Sequence, residues 1–61
     1  MKWRVWRVWN DGSTSDDGEI IDGASPGDAA TKFVRLYNDR HADYPETRIV
    51  LMPTYSAVRI P

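Results

Sequence analysis

The chain has no cysteine and a single histidine, His41, so neither a disulfide framework nor a zinc site of the usual His and Cys ligands is available to hold it together. It also lacks any long apolar run. The opening from Met1 to Trp9 is broken by Lys2, Arg4 and Arg7 and has no signal-peptide centre, and nothing further along reaches the length that spans a bilayer. A cytoplasmic protein is therefore expected, and the missing cysteine suits a reducing compartment. Nor is there a basic excess: 8 Lys and Arg against 9 Asp and Glu give a net charge of −1, whereas strong nucleic-acid binders carry a positive balance that displaces counterions. The 61 residues make one domain, 1–61, near the lower limit at which an unstapled core sustains itself. Self-association into a homo-oligomer is the remaining source of stability.

The balanced charge conceals an uneven distribution. Between Asn10 and Ala30 every charged residue is acidic, namely Asp11, Asp16, Asp17, Glu19, Asp22 and Asp28, while basic residues flank the block on both sides. One end of the molecule should be acidic.

The segment Trp3-Arg4-Val5-Trp6-Arg7-Val8-Trp9 is rich in strand-favouring residues and runs into the turn chemistry of Asn10-Asp11-Gly12, which predicts a strand. Alternation then puts Trp3, Val5, Arg7 and Trp9 on one side and Arg4, Trp6 and Val8 on the other. After the polar stretch Ser13 to Gly18, Glu19-Ile20-Ile21-Asp22 predicts a second strand, closing a hairpin with a long connection.

Ser25-Pro26-Gly27-Asp28 carries a helix start: a hydroxyl at the N-cap, proline at the first helical position and a carboxylate at the third. Ala30, Phe33, Val34 and Tyr37 follow at helical offsets, flanked by Ala29 and Leu36, and the helix should end between Asn38 and His41. The β-branched and apolar stretch from Thr47 to Met52 predicts a third strand, Pro53-Thr54 a turn, and Tyr55 to Ile60 a fourth strand. The expected fold is α+β, a four-stranded and mainly antiparallel sheet in the order ββαββ with one helix on one face. If the third strand pairs antiparallel with the first, the strand order is 2-1-3-4 with the tryptophan strand inside; 2-1-4-3 is the second arrangement.

One helix covers one face of such a sheet. Trp3, Val5 and Trp9 supply the more apolar side and are assigned to the helix, beneath Phe33 and Tyr37, which leaves Arg4, Trp6 and Val8 open. Tyr55 and Arg59 are expected to join them. Aromatic and arginine side chains on an open sheet are the chemistry of protein-interface hot spots, so these five residues are the candidate partner-binding set for an unidentified protein. The competing structural reading lays Trp6 along an arginine stem as a shield for the sheet. Stacking of unpaired bases on the same face gives an alternative function, a weak single-stranded nucleic-acid binder, which the net charge disfavours.

The acidic surface of Asp11, Asp16, Asp17, Glu19 and Asp22 is a second candidate, either a solvated loop or a carboxylate array facing a basic partner. It departs from a calcium loop, with Asp16 where the sharp turn needs glycine and Asp22 in place of the bidentate glutamate. No nucleophile stands beside a base: His41 reads as a helix C-terminal residue, Ser25 is occupied as an N-cap, and the glycines at 12, 18, 23 and 27 do not form a phosphate-binding fingerprint. A non-enzymatic protein without cofactor or metal is expected.

The succession of a Trp/Arg/Val strand, an Asp-Gly turn, the stretch Ile-Ile-Asp-Gly-Ala-Ser-Pro-Gly-Asp-Ala-Ala-Thr-Lys-Phe-Val and a closing hairpin resembles short, largely uncharacterised ββαββ proteins of bacteria and their phages. That resemblance implies a protein that binds and modulates a host or phage protein, in the host-cell cytoplasm if phage-encoded. Small phage inhibitors of bacterial defence, anti-CRISPR proteins among them, are similar in size and acidic patterning.

Overall fold

The computed structural model describes residues 1–15 and 18–61, so Asp16 and Asp17 of the acidic set lie outside the described residues. Strand β1 spans Lys2–Arg7, β2 Glu19–Asp22 and β3 Tyr55–Ile60, and helix α1 spans Pro26–Arg40 between β2 and β3. Among the described residues the sheet has three strands in the order β2-β1-β3, both pairings antiparallel.

The helix begins where its capping chemistry dictates. Ser25 Oγ accepts from the Asp28 backbone N–H at 3.1 Å, and Asp28 Oδ2 reaches back to accept from the Ala24 N–H at 3.0 Å, so two backbone donors at the N-terminus are satisfied reciprocally. At the other end His41 is the C-cap. Its ring stacks on Tyr37 with centroids 4.1 Å apart, and Nδ1 donates to the Tyr37 carbonyl at 2.8 Å.

The helix lays Ala29 and Phe33 onto Val5 of β1 and Ile21 of β2, with Trp3, Val34, Leu36 and Ala57 packed around them. Burying side chains of the Val, Ile and Phe size yields about 1.5–3 kcal/mol each, which is most of what a core this small can supply. Trp3 is anchored as well as packed, its indole N–H donating to the Gly23 carbonyl at 2.9 Å. Trp9 does not share this core. β1 stops at Arg7, and Trp9 lies past its end, 46% exposed, with the Arg7 guanidinium 4.0 Å above its ring.

The expected third strand is absent among the described residues, which corrects the ββαββ four-stranded sheet to ββαβ with three strands. Thr47 to Met52 has strand-like composition, yet local bonding captures its backbone. Pro45–Thr47 forms a 3-10 turn in which the Thr47 hydroxyl donates to the Tyr44 carbonyl at 2.7 Å. The Asn38 side chain then takes both main-chain groups of Ile49, accepting from its N–H at 2.8 Å and donating to its C=O at 3.1 Å. A ladder needs those same groups. Tyr55–Ile60, the strand expected to be fourth, therefore pairs directly with β1, and the observed order is 2-1-4-3 without its last strand.

The β1–β2 hairpin contains an irregularity that shapes the open face. From the pair Val5↔Glu19 to the bridge Val8↔Thr14, β1 advances three residues while the returning chain covers five. Gly18, at the near end of this longer return, has φ +77°, and a Cβ on it would stand 2.7 Å from the Val5 carbonyl oxygen and 3.3 Å from Cβ of Trp6.

Candidate protein-binding surface

Cross-strand register decides which side chains share the face away from the helix. Arg4 of β1 is paired with Ile20 on one side and Val58 on the other, Lys2 with Asp22 and Ile60, and Trp6 with Ser56. Directly opposed residues project to the same face, so this surface has Ile20, Arg4 and Val58 at its centre, Trp6 and Ser56 at one end and Lys2, Asp22 and Ile60 at the other. Ile20 is 48% and Val58 52% exposed, which is unusual for two β-branched side chains in strand interiors. Trp6 is half-buried, backed by the close approach of Gly18, and Val8 is half-buried beyond the strand in its bridge to Thr14.

Of the candidate partner-binding residues, the structure brings Arg4 and Trp6 onto one face, with Val8 following in the same alternation. Tyr55 and Arg59 do not join them. Their register partners are Arg7 and Trp3, and with Ala57 opposite Val5 they belong to the helix side. The reason is size: the residue of β3 that lies under the helix must be small, and Ala57 is the one that fits against Val5 and Phe33. Ser56, Val58 and Ile60 are turned outward as a result. Ile20-Ile21 is symmetric in hydrophobicity, and only the pairing shows that Ile20 is the isoleucine outside.

The acidic set does not form one array. Asp11 lies in the Trp9 to Gly12 turn, where Oδ1 accepts from both the N–H and the hydroxyl of Ser13 at 2.9 and 2.6 Å. These bonds, the hydroxyl first, hold its carboxyl below the ordinary carboxylate value. Glu19 is ion-paired with Arg40 of the helix. Asp22 accepts from the terminal amino group of Met1 at 3.1 Å, and this bond lowers its pKa. Glu19 is thus engaged with the helix and Asp22 with the chain just before β1, and Asp11 belongs to a separate turn.

The concave features are small. One depression of about 70 Å³ is lined by Glu19, Phe33, Leu36, Tyr37, Arg40 and His41, and a second of about 170 Å³ by Ser15, Gly18, Glu19, Phe33 and Tyr37. Both fall short of the ~300–1,000 Å³ that encloses a small-molecule ligand. Among the described residues no three His, Asp or Glu side chains converge in a way that could hold a metal ion, and no helix is long and apolar enough to cross a membrane.

The class these observations define is a small α+β protein, one helix on an antiparallel sheet whose second face, mixed apolar and charged, is not covered by a helix among the described residues. No protein-family model matches the chain, and neither does any curated protein or solved structure.

Proposed function

We propose that the chain is a non-enzymatic protein-binding or modulatory module, acting in the cytoplasm, and that it engages a protein partner through the open sheet face. The observation that carries this reading is the phase of β3. The strand turns Val58 and Ile60 to the uncovered side and Tyr55, Ala57 and Arg59 toward the helix, so its more apolar side is the one left outside. A sheet face that only needed to be wet would place its polar phase there. Arg4 sits between Ile20 and Val58, a cation framed by apolar side chains beside an indole, and this arrangement suits desolvation against another protein surface better than tracking of a phosphate chain. A modulatory role like that of small phage inhibitors belongs to the same proposal.

The test is affinity capture from the native host with mass spectrometric identification, comparing the natural chain with Trp6→Ala and Val58→Asp. Val58 is exposed, so its replacement should leave thermal stability within about 0.5 kcal/mol while abolishing capture. Capture that survives both substitutions would remove the open face from the mechanism. Salt-sensitive quenching of tryptophan fluorescence by single-stranded oligonucleotide would replace the protein partner with a nucleic acid.

A further inference from the structure

The two edges of the sheet are unequal. β2 is four residues long, has a carboxylate at each end, and is overlaid by Lys32, whose ammonium donates to the Asp22 carbonyl at 3.0 Å. Short length and charge are the devices by which sheets discourage further pairing. β3 has neither: its six residues contain no proline and a single charge, Arg59.

The hydrogen-bond phase of β3 follows from two distances. The Val8 N–H donates to the Thr54 carbonyl at 2.9 Å, continuing the β1–β3 register, while Arg7 accepts from Ser15 at 3.0 Å on the opposite side of β1. In an antiparallel ladder the bonded pairs recur at every second residue. Ser56, Val58 and Ile60 therefore turn their backbone groups toward β1, and Tyr55, Ala57 and Arg59 turn theirs to the free edge. Among the described residues nothing bonds these outward groups.

We propose that two copies of the chain join edge to edge through β3, antiparallel about Ala57, into one continuous sheet. The strand is self-complementary in this arrangement. Ala57 meets Ala57 of the second copy, and Tyr55 meets Arg59 of the second copy on both sides of the two-fold axis, a ring against a guanidinium each time. Ser56 faces Val58 of the second copy on the open side. Ile60 of the second copy arrives opposite Thr54, and Val50, Leu51 and Met52, which precede Thr54 in the chain, are 89%, 83% and 52% exposed in the single chain.

Surface area supports a second copy as the occupant. The chain exposes 4462 Å², whereas a monomer of 7.0 kDa is expected to expose about 4,000 Å². That excess is below the ~800 Å² that each partner gives to a standard interface, and pairing along a six-residue edge is a small contact, so the dimer is expected to be reversible and concentration-dependent. It stands independently of the open-face reading, because the paired groups lie on the edge.

Sedimentation equilibrium over a wide concentration range tests the proposal. The mass should move from 7.0 kDa toward twice that value, and Arg59→Pro, which removes an outward N–H but none of the ladder to β1, should weaken dimerisation about tenfold or more. A mass that stays at 7.0 kDa at every concentration, or a dimer indifferent to Arg59→Pro, overturns it. Cysteine substitution reads the register without bending the strand and serves if Arg59→Pro fails to fold. In this cysteine-free chain, an oxidised mixture of S56C and V58C should form the mixed disulfide, while S56C alone should not, because its copies would stand about 7–8 Å apart on the diagonal. Equal cross-linking of S56C alone overturns the register and the proposal with it.

Discussion

Replacing Gly18 and Gly12 with alanine in parallel separates two effects that usually occur together. Both glycines have positive φ, +77° and +86°, so either substitution carries the conformational cost of an L-residue in the left-handed region, about 1 kcal/mol. Their surroundings differ. A Cβ on Gly12 meets nothing within 4 Å, whereas on Gly18 it would stand 2.7 Å from the carbonyl oxygen of Val5. Val5 is fully buried at the centre of β1, paired to strands on both sides, and cannot withdraw without disturbing both pairings. Displacing it is an overpacking problem that adds about 1–3 kcal/mol, so Gly18→Ala should lose about 2–4 kcal/mol in all. For a domain of this size that gap between the variants corresponds to a difference of about 4–20 °C in Tm. Thermal and urea unfolding followed by far-ultraviolet circular dichroism and tryptophan fluorescence would measure it. Equal losses in the two variants would refute the claim that Gly18 is packed against β1.

The remaining predictions concern the helix ends and the carboxylates. Ser25→Ala should cost about 1 kcal/mol through the lost N-cap bond, measured as a shift in the urea midpoint with unchanged slope. Asn38→Ala should cost about 1–2 kcal/mol and speed amide hydrogen exchange at Ile49 selectively, because it deletes both bonds that hold that residue to the helix. Asp28, like Asp11 and Asp22, has a folded pKa below the ordinary value, in its case chiefly from the Ala24 N–H and then from Lys32. A depressed carboxylate contributes stability that is complete above the unfolded pKa of about 4 and disappears as pH falls through the folded value. The urea midpoint should thus be insensitive to these groups near neutrality and drop in acid, with a shallower drop in Asp28→Asn; an unchanged acid limb in that variant would contradict the bond to Ala24.

What could be read from the sequence was local chemistry. Ser25, Pro26 and Asp28 mark the helix start without reference to anything distant, and the apolar offsets from Ala29 to Tyr37 set the packed side of α1. Trp3 and Val5 under the helix also followed from alternation, since they share the more apolar side of β1. The errors arose where a distant group decided. Thr47 to Met52 has strand composition, but Asn38, eleven residues before Ile49, competes for its backbone, and a propensity scale does not see that competitor. Tyr55 and Arg59 were placed on the wrong face because hydrophobicity favoured burying Val58 and Ile60, whereas space under the helix favoured Ala57. The acidic block looked like one surface because its members are close in sequence, yet Glu19 and Asp22 are drawn into ion pairs by partners from other parts of the chain.

The adjacent isoleucines of β2 carry a consequence for how the hairpin can vary. Sliding a strand by one residue normally exchanges its inside for its outside, and the resulting loss of apolar burial locks the alignment. Here the exchange would put Ile20 where Ile21 was. The core has almost no preference, so the alignment depends on the polar attachments at the ends of the strand, Glu19 to Arg40 and Trp3 to Gly23. An even number of residues gained or lost in the connection from β1 to β2 keeps those attachments in phase. An odd number that slides the strand keeps an isoleucine in the core but breaks both attachments, so length changes in this hairpin should be tolerated by parity rather than by size.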